Sequence, residues 1–176
     1  MASDTKNVKL GVCKITFGGT DLGYTKGGVE VEVTTEVHKV TIDQFGTTSV
    51  ADLIQGRNIK VKVPLAETTL ENLVKIMPGA TLVTDGTTPT KKRVDVQTGI
   101  GINLLDVAQE MILHPVSKAD ADVSEDFIIP KAATAGALNF AYKVDQERIF
   151  NTEFSGYPDP ETKVLFKVGD KTAVAA

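Results

Sequence analysis

The sequence predicts a mainly β fold, a β-sandwich or barrel-like subunit with one flanking α-helix and a long loop between two of its strands. Three observations lead there. Short runs that alternate apolar and polar residues recur along the chain, with glycine and other turn residues between them. One segment, TTLENLVKIMPG, spaces its apolar residues at the helical period instead. Two valine-rich strands are separated by about 25 residues, far beyond the ~2–5 residues of an ordinary hairpin connection.

The first expected strand covers 8–17 and is closed by Gly18-Gly19, with more glycine at Gly23, Gly27 and Gly28. In the next, Val29, Val31 and Val33 alternate with Glu30 and Glu32, so the valines are expected to face the core. Ile59, Val61 and Val63 alternate with Lys60 and Lys62 in the same way. If the two strands pair antiparallel, glutamate faces lysine. The span 34–58 between them reads as a loop. It carries Val37, Val40, Ile42, Phe45, Val50, Leu53 and Ile54, too much apolar surface for a solvated excursion, so it reads as an arm that docks on a neighbouring subunit.

Leu70, Leu73, Val74 and Met77 fall at i, i+3, i+4 and i+7, one face of a helix. Thr68 with Glu71 forms a capping-box pattern and Pro78-Gly79 a stop, which sets the helix at 68–77, packed over an open face or end of the sandwich. Further strands are expected at 81–83, 93–96, 99–105, 110–114, 126–129, 138–144, 148–154 and 164–168, with KAATAGAL as a loop.

At 176 residues the chain fits one domain, and 41% hydrophobic with 24% charged residues excludes a disordered chain. Nineteen basic against 23 acidic side chains leave a net charge of −4, which argues against a general basic surface that grips phosphates. The N-terminal MASDTKNVK lacks the apolar stretch of a signal peptide and no run approaches the ~18 apolar residues of a membrane span, so a soluble protein without membrane insertion is expected. Cys13 is the only cysteine. It can form no internal disulfide and reads as a buried, inert thiol in a reducing compartment.

No catalytic constellation emerges, and an enzyme is not expected. His38 and His114 lie far apart with no metal-ligand spacing and read as solvent-facing or strand-edge side chains. The serines lack the Gly-x-Ser-x-Gly context of a nucleophile elbow. GGTDLGYTKGG fails as a phosphate loop because its lysine is displaced to Lys26 and a strand follows, and Gly99-Ile100-Gly101 fails the dinucleotide pattern at Leu104. Asp120, Asp122, Ser124 and Asp126 imitate a calcium loop that breaks at Glu125 and Lys131, leaving a solvated acidic turn. Lys91-Lys92-Arg93 reads as a solvated loop tip. No cofactor and no metal are expected.

The order of features carries more than any one residue. A Gly-rich turn, a strand opening with GGVEVEV, the segment VTIDQFG, a strand ending in Pro64-Leu65-Ala66-Glu67, the helix TLENLVKIMPG and a closing YPDPETKVLFKVGD together resemble the major tail tube proteins of long-tailed phages, of the non-contractile kind. The resemblance is best over 21–79 and returns at 156–170.

It implies a subunit that assembles into hexameric rings, stacked into a tube whose lumen passes double-stranded DNA without sequence preference. The implied partners are further copies of the chain, a tape measure protein inside the tube, and tail tip and tail terminator proteins. The implied location is the virion tail, assembled in the host cytoplasm. On this reading Val37, Val40, Ile42, Asp43, Gln44, Phe45, Leu53 and Ile54 are candidates for the subunit and ring interface. Glu30, Glu32, Lys60 and Lys62 are candidates for the lumen, their alternative being an external solvated strand face. The competing functions are a tail-associated or secretion-tube ring protein of related fold, and a monomeric ligand-binding β-barrel.

Overall fold

Ile59, Val61, Val63 and Leu65 are buried, and Lys60 and Lys62 between them are exposed, so this stretch is a strand with one face on the core. The computed structural model describes residues 4, 5, 8, 9 and 11–174. Their strands are β1 (Cys13–Phe17), β2 (Thr20–Asp21), β3 (Glu30–Thr41), β4 (Ser49–Leu65), β5 (Ala80–Thr84), β6 (Lys92–Val96), β7 (Gln109–Pro115), β8 (Phe127–Thr134), β9 (Phe150–Tyr157) and β10 (Lys167–Val168). The single α-helix among the described residues is α1, Leu70–Ile76.

One antiparallel sheet runs β2-β1-β7-β8-β9-β4-β3, with β10 added on β8, while β5 and β6 form a separate hairpin. The segment after β2 bends this sheet round. Leu22 N donates to Ile15 O at 3.0 Å, and further on Lys26 N donates to Pro64 O at 3.1 Å and Ala66 N to Tyr24 O at 2.8 Å. The chain thus leaves the edge of β1 and lies along the end of β4, so the sheet wraps a single core of Ile15, Phe17, Leu22, Val61, Met111, Ile129, Phe154 and their neighbours. The protein is mainly β, with a β-sandwich-like fold and one flanking helix, as expected.

Close packing at the middle of the sheet depends on Gly156. A Cβ there would meet Ile59 Cγ2 at 2.4 Å and Ile129 Cγ2 at 2.9 Å, so the neighbouring isoleucines fill the place a side chain would take.

Several expectations need correction. Residues 34–58 are not a loop: β3 continues to Thr41 and β4 starts at Ser49. Two bulges hide this in the sequence, because Gln55 and Val50 are each skipped in the pairing and the period-two pattern breaks at both. Val31 and Val33 stand opposite Val61 and Ile59, on the core side, yet remain 37% and 41% exposed because β3 is the edge strand. The helix is shorter and turned from its expected face. Thr69 is its cap, accepting from Asn72 N at 3.1 Å, and the buried positions are Asn72 and Ile76, with Leu70 exposed. Thr68 instead takes Arg148, whose Nη2 lies 2.7 Å from its hydroxyl, and Glu71 pairs with Lys92.

Segments 99–105 and 138–144 are not strands. Gly99 and Gly101 have φ of 71° and 85° and turn the first, and the second pairs with β9 through a bridge between Asn139 and Asn151, beside which Phe140 packs edge-on against Phe150. The KAAT of KAATAGAL is strand, in β8, and Lys92 and Arg93 open β6 rather than a loop tip. β1 begins at Cys13; Leu10, in the expected first strand, lies outside the described residues.

Candidate functional site

β4 pairs with β9 only from Ile59 to Leu65. Beyond Ile59, β4 and the outer half of β3 pair with each other alone, so residues 34–58 form a hairpin that leaves the body with both edges open. Eight residues of β3, 34–41, lie in this part, which at ~3.3 Å per residue reach about 25 Å. A 3-10 turn, Asp43–Phe45, closes the tip, with Phe45 N donating to Ile42 O at 3.0 Å and Gly46 at φ 59°. Ser49 Oγ steadies the return by donating to Asp52 Oδ1 at 2.8 Å.

Both faces of the hairpin are apolar toward its end. Val37 stands opposite Ile54 on one face, and Val40 opposite Ala51 and His38 opposite Leu53 on the other. Phe45, Ile54 and Leu53 are 62%, 59% and 57% exposed, and Val37 and Ile42 are exposed as well, while Val40 is half-buried. Asp43 and Gln44 lie exposed in the tip turn. All eight residues expected at an interface therefore sit on one projecting element, though as a strand pair and not as a loop.

At the root the charge pattern is as the alternation predicts. Glu30 stands opposite Lys62 and Glu32 opposite Lys60. Lys62 Nζ lies 2.9 Å from Glu30 Oε2, and Lys60 Nζ lies 2.8 Å from Glu153 Oε1 on β9, a partner the sequence reading missed. The hydrogen bonds that Lys60 donates to Glu153 and Lys62 donates to Glu30 hold both ammonium groups above the usual lysine value. The four residues are exposed side by side on the strand face turned away from the core. Beside them a cleft of about 530 Å³ is lined by Glu30, Lys62, Leu138 and Glu153 among others.

Apart from His38, the other singled-out residues lie away from this element. His114 is buried, not solvent-facing, with Nδ1 2.6 Å from Asp126 Oδ1 and Nε2 without a hydrogen-bond partner among the described residues. The acidic run around it is tied up locally: Lys118 pairs with Asp122 and Glu125, and the Ser124 hydroxyl holds the Asp122 carboxyl down to about 2. His38 is exposed on the hairpin. Cys13 is half-buried, and burial pushes its thiol up. Among the described residues no three His, Cys, Asp or Glu side chains come together to hold a metal, and no helix is long and apolar enough to cross a membrane. Compared with known proteins, the chain matches no family model and no curated sequence.

Proposed function

We propose that the chain is a structural subunit that polymerises as stacked hexameric rings into the tail tube of a long-tailed phage, a conduit for DNA ejection. The observation that supports this best is the hairpin of β3 and β4. Its two open edges offer unpaired backbone groups over many residues, and its outer part exposes Val37, Phe45, Leu53 and Ile54 together. Neighbouring copies remove both penalties at once, because hairpins joined edge to edge close into a barrel with no free edge. The resemblance in feature order points the same way, with the tape measure, tail tip and terminator proteins as the remaining partners.

In that barrel the face bearing Glu30, Glu32, Lys60 and Lys62 lines the lumen. Its acids and bases neutralise one another locally, and a chain of net charge −4 offers passing phosphates few sites of attachment. The cleft beside Glu30 favours the second reading, a monomeric ligand-binding barrel. Sedimentation velocity over a concentration series separates the two. The tube reading predicts growth from the 18.8 kDa chain to large assemblies, and a species that stays at 18.8 kDa at every concentration contradicts it.

A further inference from the structure

A groove lies where the projecting half of the hairpin meets the body. It has a volume of about 600 Å³ and is walled by Ile54 and Arg57 of β4 and by Pro158, Lys163, Leu165 and Phe166 of the segment after β9. Its lining includes two cations and no acid. Neither Arg57 nor Lys163 has a side-chain hydrogen bond or ion pair with another described residue, and the nearby Asp159 carboxylate is satisfied within its own turn by the amides of Glu161 and Thr162. The floor is firm, because Phe166 stacks on Phe127 with centroids 5.1 Å apart.

The hairpin tip has the opposite character. Asp43 has no side-chain partner among the described residues, and Phe45 two positions on is 62% exposed. An aromatic ring flanked by a free carboxylate matches an apolar groove rimmed by two free cations. The cleft beside Glu30 is a poorer acceptor, since Glu30 and Glu153 line it and its Lys62 is already paired.

We propose that the tip of one copy, through Asp43 and Phe45, seats in the groove formed by Arg57, Lys163, Leu165 and Phe166 of the next copy. This rests on the ring-and-tube reading and names its acceptor surface. The occupant is a second copy because a chain cannot fill its own groove. Ile54 pairs with Val37, five residues short of Ile42, so the tip stands roughly 15–20 Å further out at the end of a paired ladder that cannot fold back. Tip into groove joins two different surfaces, a heterologous contact that repeats from copy to copy into a closed ring or an open stack.

The experiment uses the full chain, with the assembly threshold read by sedimentation velocity at about 0.15 M salt. Asp43→Lys in one preparation and Arg57→Glu with Lys163→Glu in another each raise that threshold by about tenfold or more. Asp43→Asn raises it less. Circular dichroism of the dilute subunits stays native, since all three positions are exposed. Mixed in equal amounts, the two defective preparations assemble by alternation, because each tip then meets a groove of opposite charge. Assembly of either preparation at the native threshold, or failure of the mixture to recover, overturns the acceptor assignment and leaves the tube reading standing. A native chain that never assembles overturns both.

Discussion

Glu30 stands directly opposite Lys62 across β3 and β4, with Lys62 Nζ 2.9 Å from Glu30 Oε2, where β4 is still held by β9 on its other side. The pair continues sideways to Lys60 and Glu153, so three strands are linked by one exposed charged ladder. Exposed pairs of this kind add little to stability, and their value lies in the surface they present. Replacing Glu30 and Glu32 by Lys should therefore leave the thermal midpoint nearly unchanged and ring assembly intact. In assembled tails it should slow DNA ejection, since every ring then presents new cations to the phosphates. Ejection at the native rate would place the ladder on the outer wall.

The same ladder sets a pH dependence. Lys60 and Lys62 titrate above the usual lysine value in the folded chain, so their contribution is fully present below the unfolded lysine range and is lost as pH rises through the folded values. The small difference in thermal midpoint between the native chain and a Lys60→Gln, Lys62→Gln variant should persist at neutral pH and close in strong alkali. A difference that widens with rising pH would contradict the assignment.

Gly156 carries a different expectation. Its missing Cβ is replaced by Cγ2 methyls of Ile59 and Ile129, which are fixed on β-branched side chains and cannot swing away. Gly156→Ala should cost about 1–3 kcal/mol through overpacking. Urea unfolding should show a lower midpoint with an unchanged slope. An unchanged midpoint would mean the strands separate freely there.

His114 and Asp126, with Nδ1 2.6 Å from Oδ1, form a buried side-chain pair among the described residues. Asp126→Ala removes the acceptor of a proton on Nδ1 and leaves both ring nitrogens unpartnered, at a cost of about 1–3 kcal/mol. Asp126→Asn keeps an acceptor oxygen and should cost less. Equal losses in urea unfolding would show that shape, and not the hydrogen bond, matters at this position.

Phe45 is more than half exposed, so Phe45→Ala should leave the subunit's unfolding midpoint unchanged and still impair assembly. Hydrogen exchange gives the matching signal. Amides of 34–58 that point to the open edges should exchange fast in the free subunit and become protected on assembly. Equal protection in both states, with normal assembly of Phe45→Ala, would remove the hairpin from the interface.

Much of this was legible in the sequence because alternation is a strong signal. Ile59, Val61 and Val63 against Lys60 and Lys62 gave the strand, its buried face and the pairing of glutamate with lysine. The outer hairpin was not legible as strand. Its two bulges break the period, and no face of it is buried in the subunit to impose one. The helix illustrates tertiary override: a polar residue, Asn72, takes an inward position because its amide donates to Leu22 O and Glu67 O, which no apolar periodicity reports. His114 was misplaced for the same reason, since its partner Asp126 reaches it from the next strand's entry. Arg57 and Lys163 are 106 residues apart, and only the fold brings them to one groove.

The central claim is that the hairpin exists to join copies of this chain around a lumen. Negative-stain electron microscopy of the concentrated native protein tests it most directly. The account predicts hollow six-fold rings or tubes in which a central channel is visible end-on. Isolated particles of single-subunit size at every concentration, or solid fibrils with no channel, would contradict it.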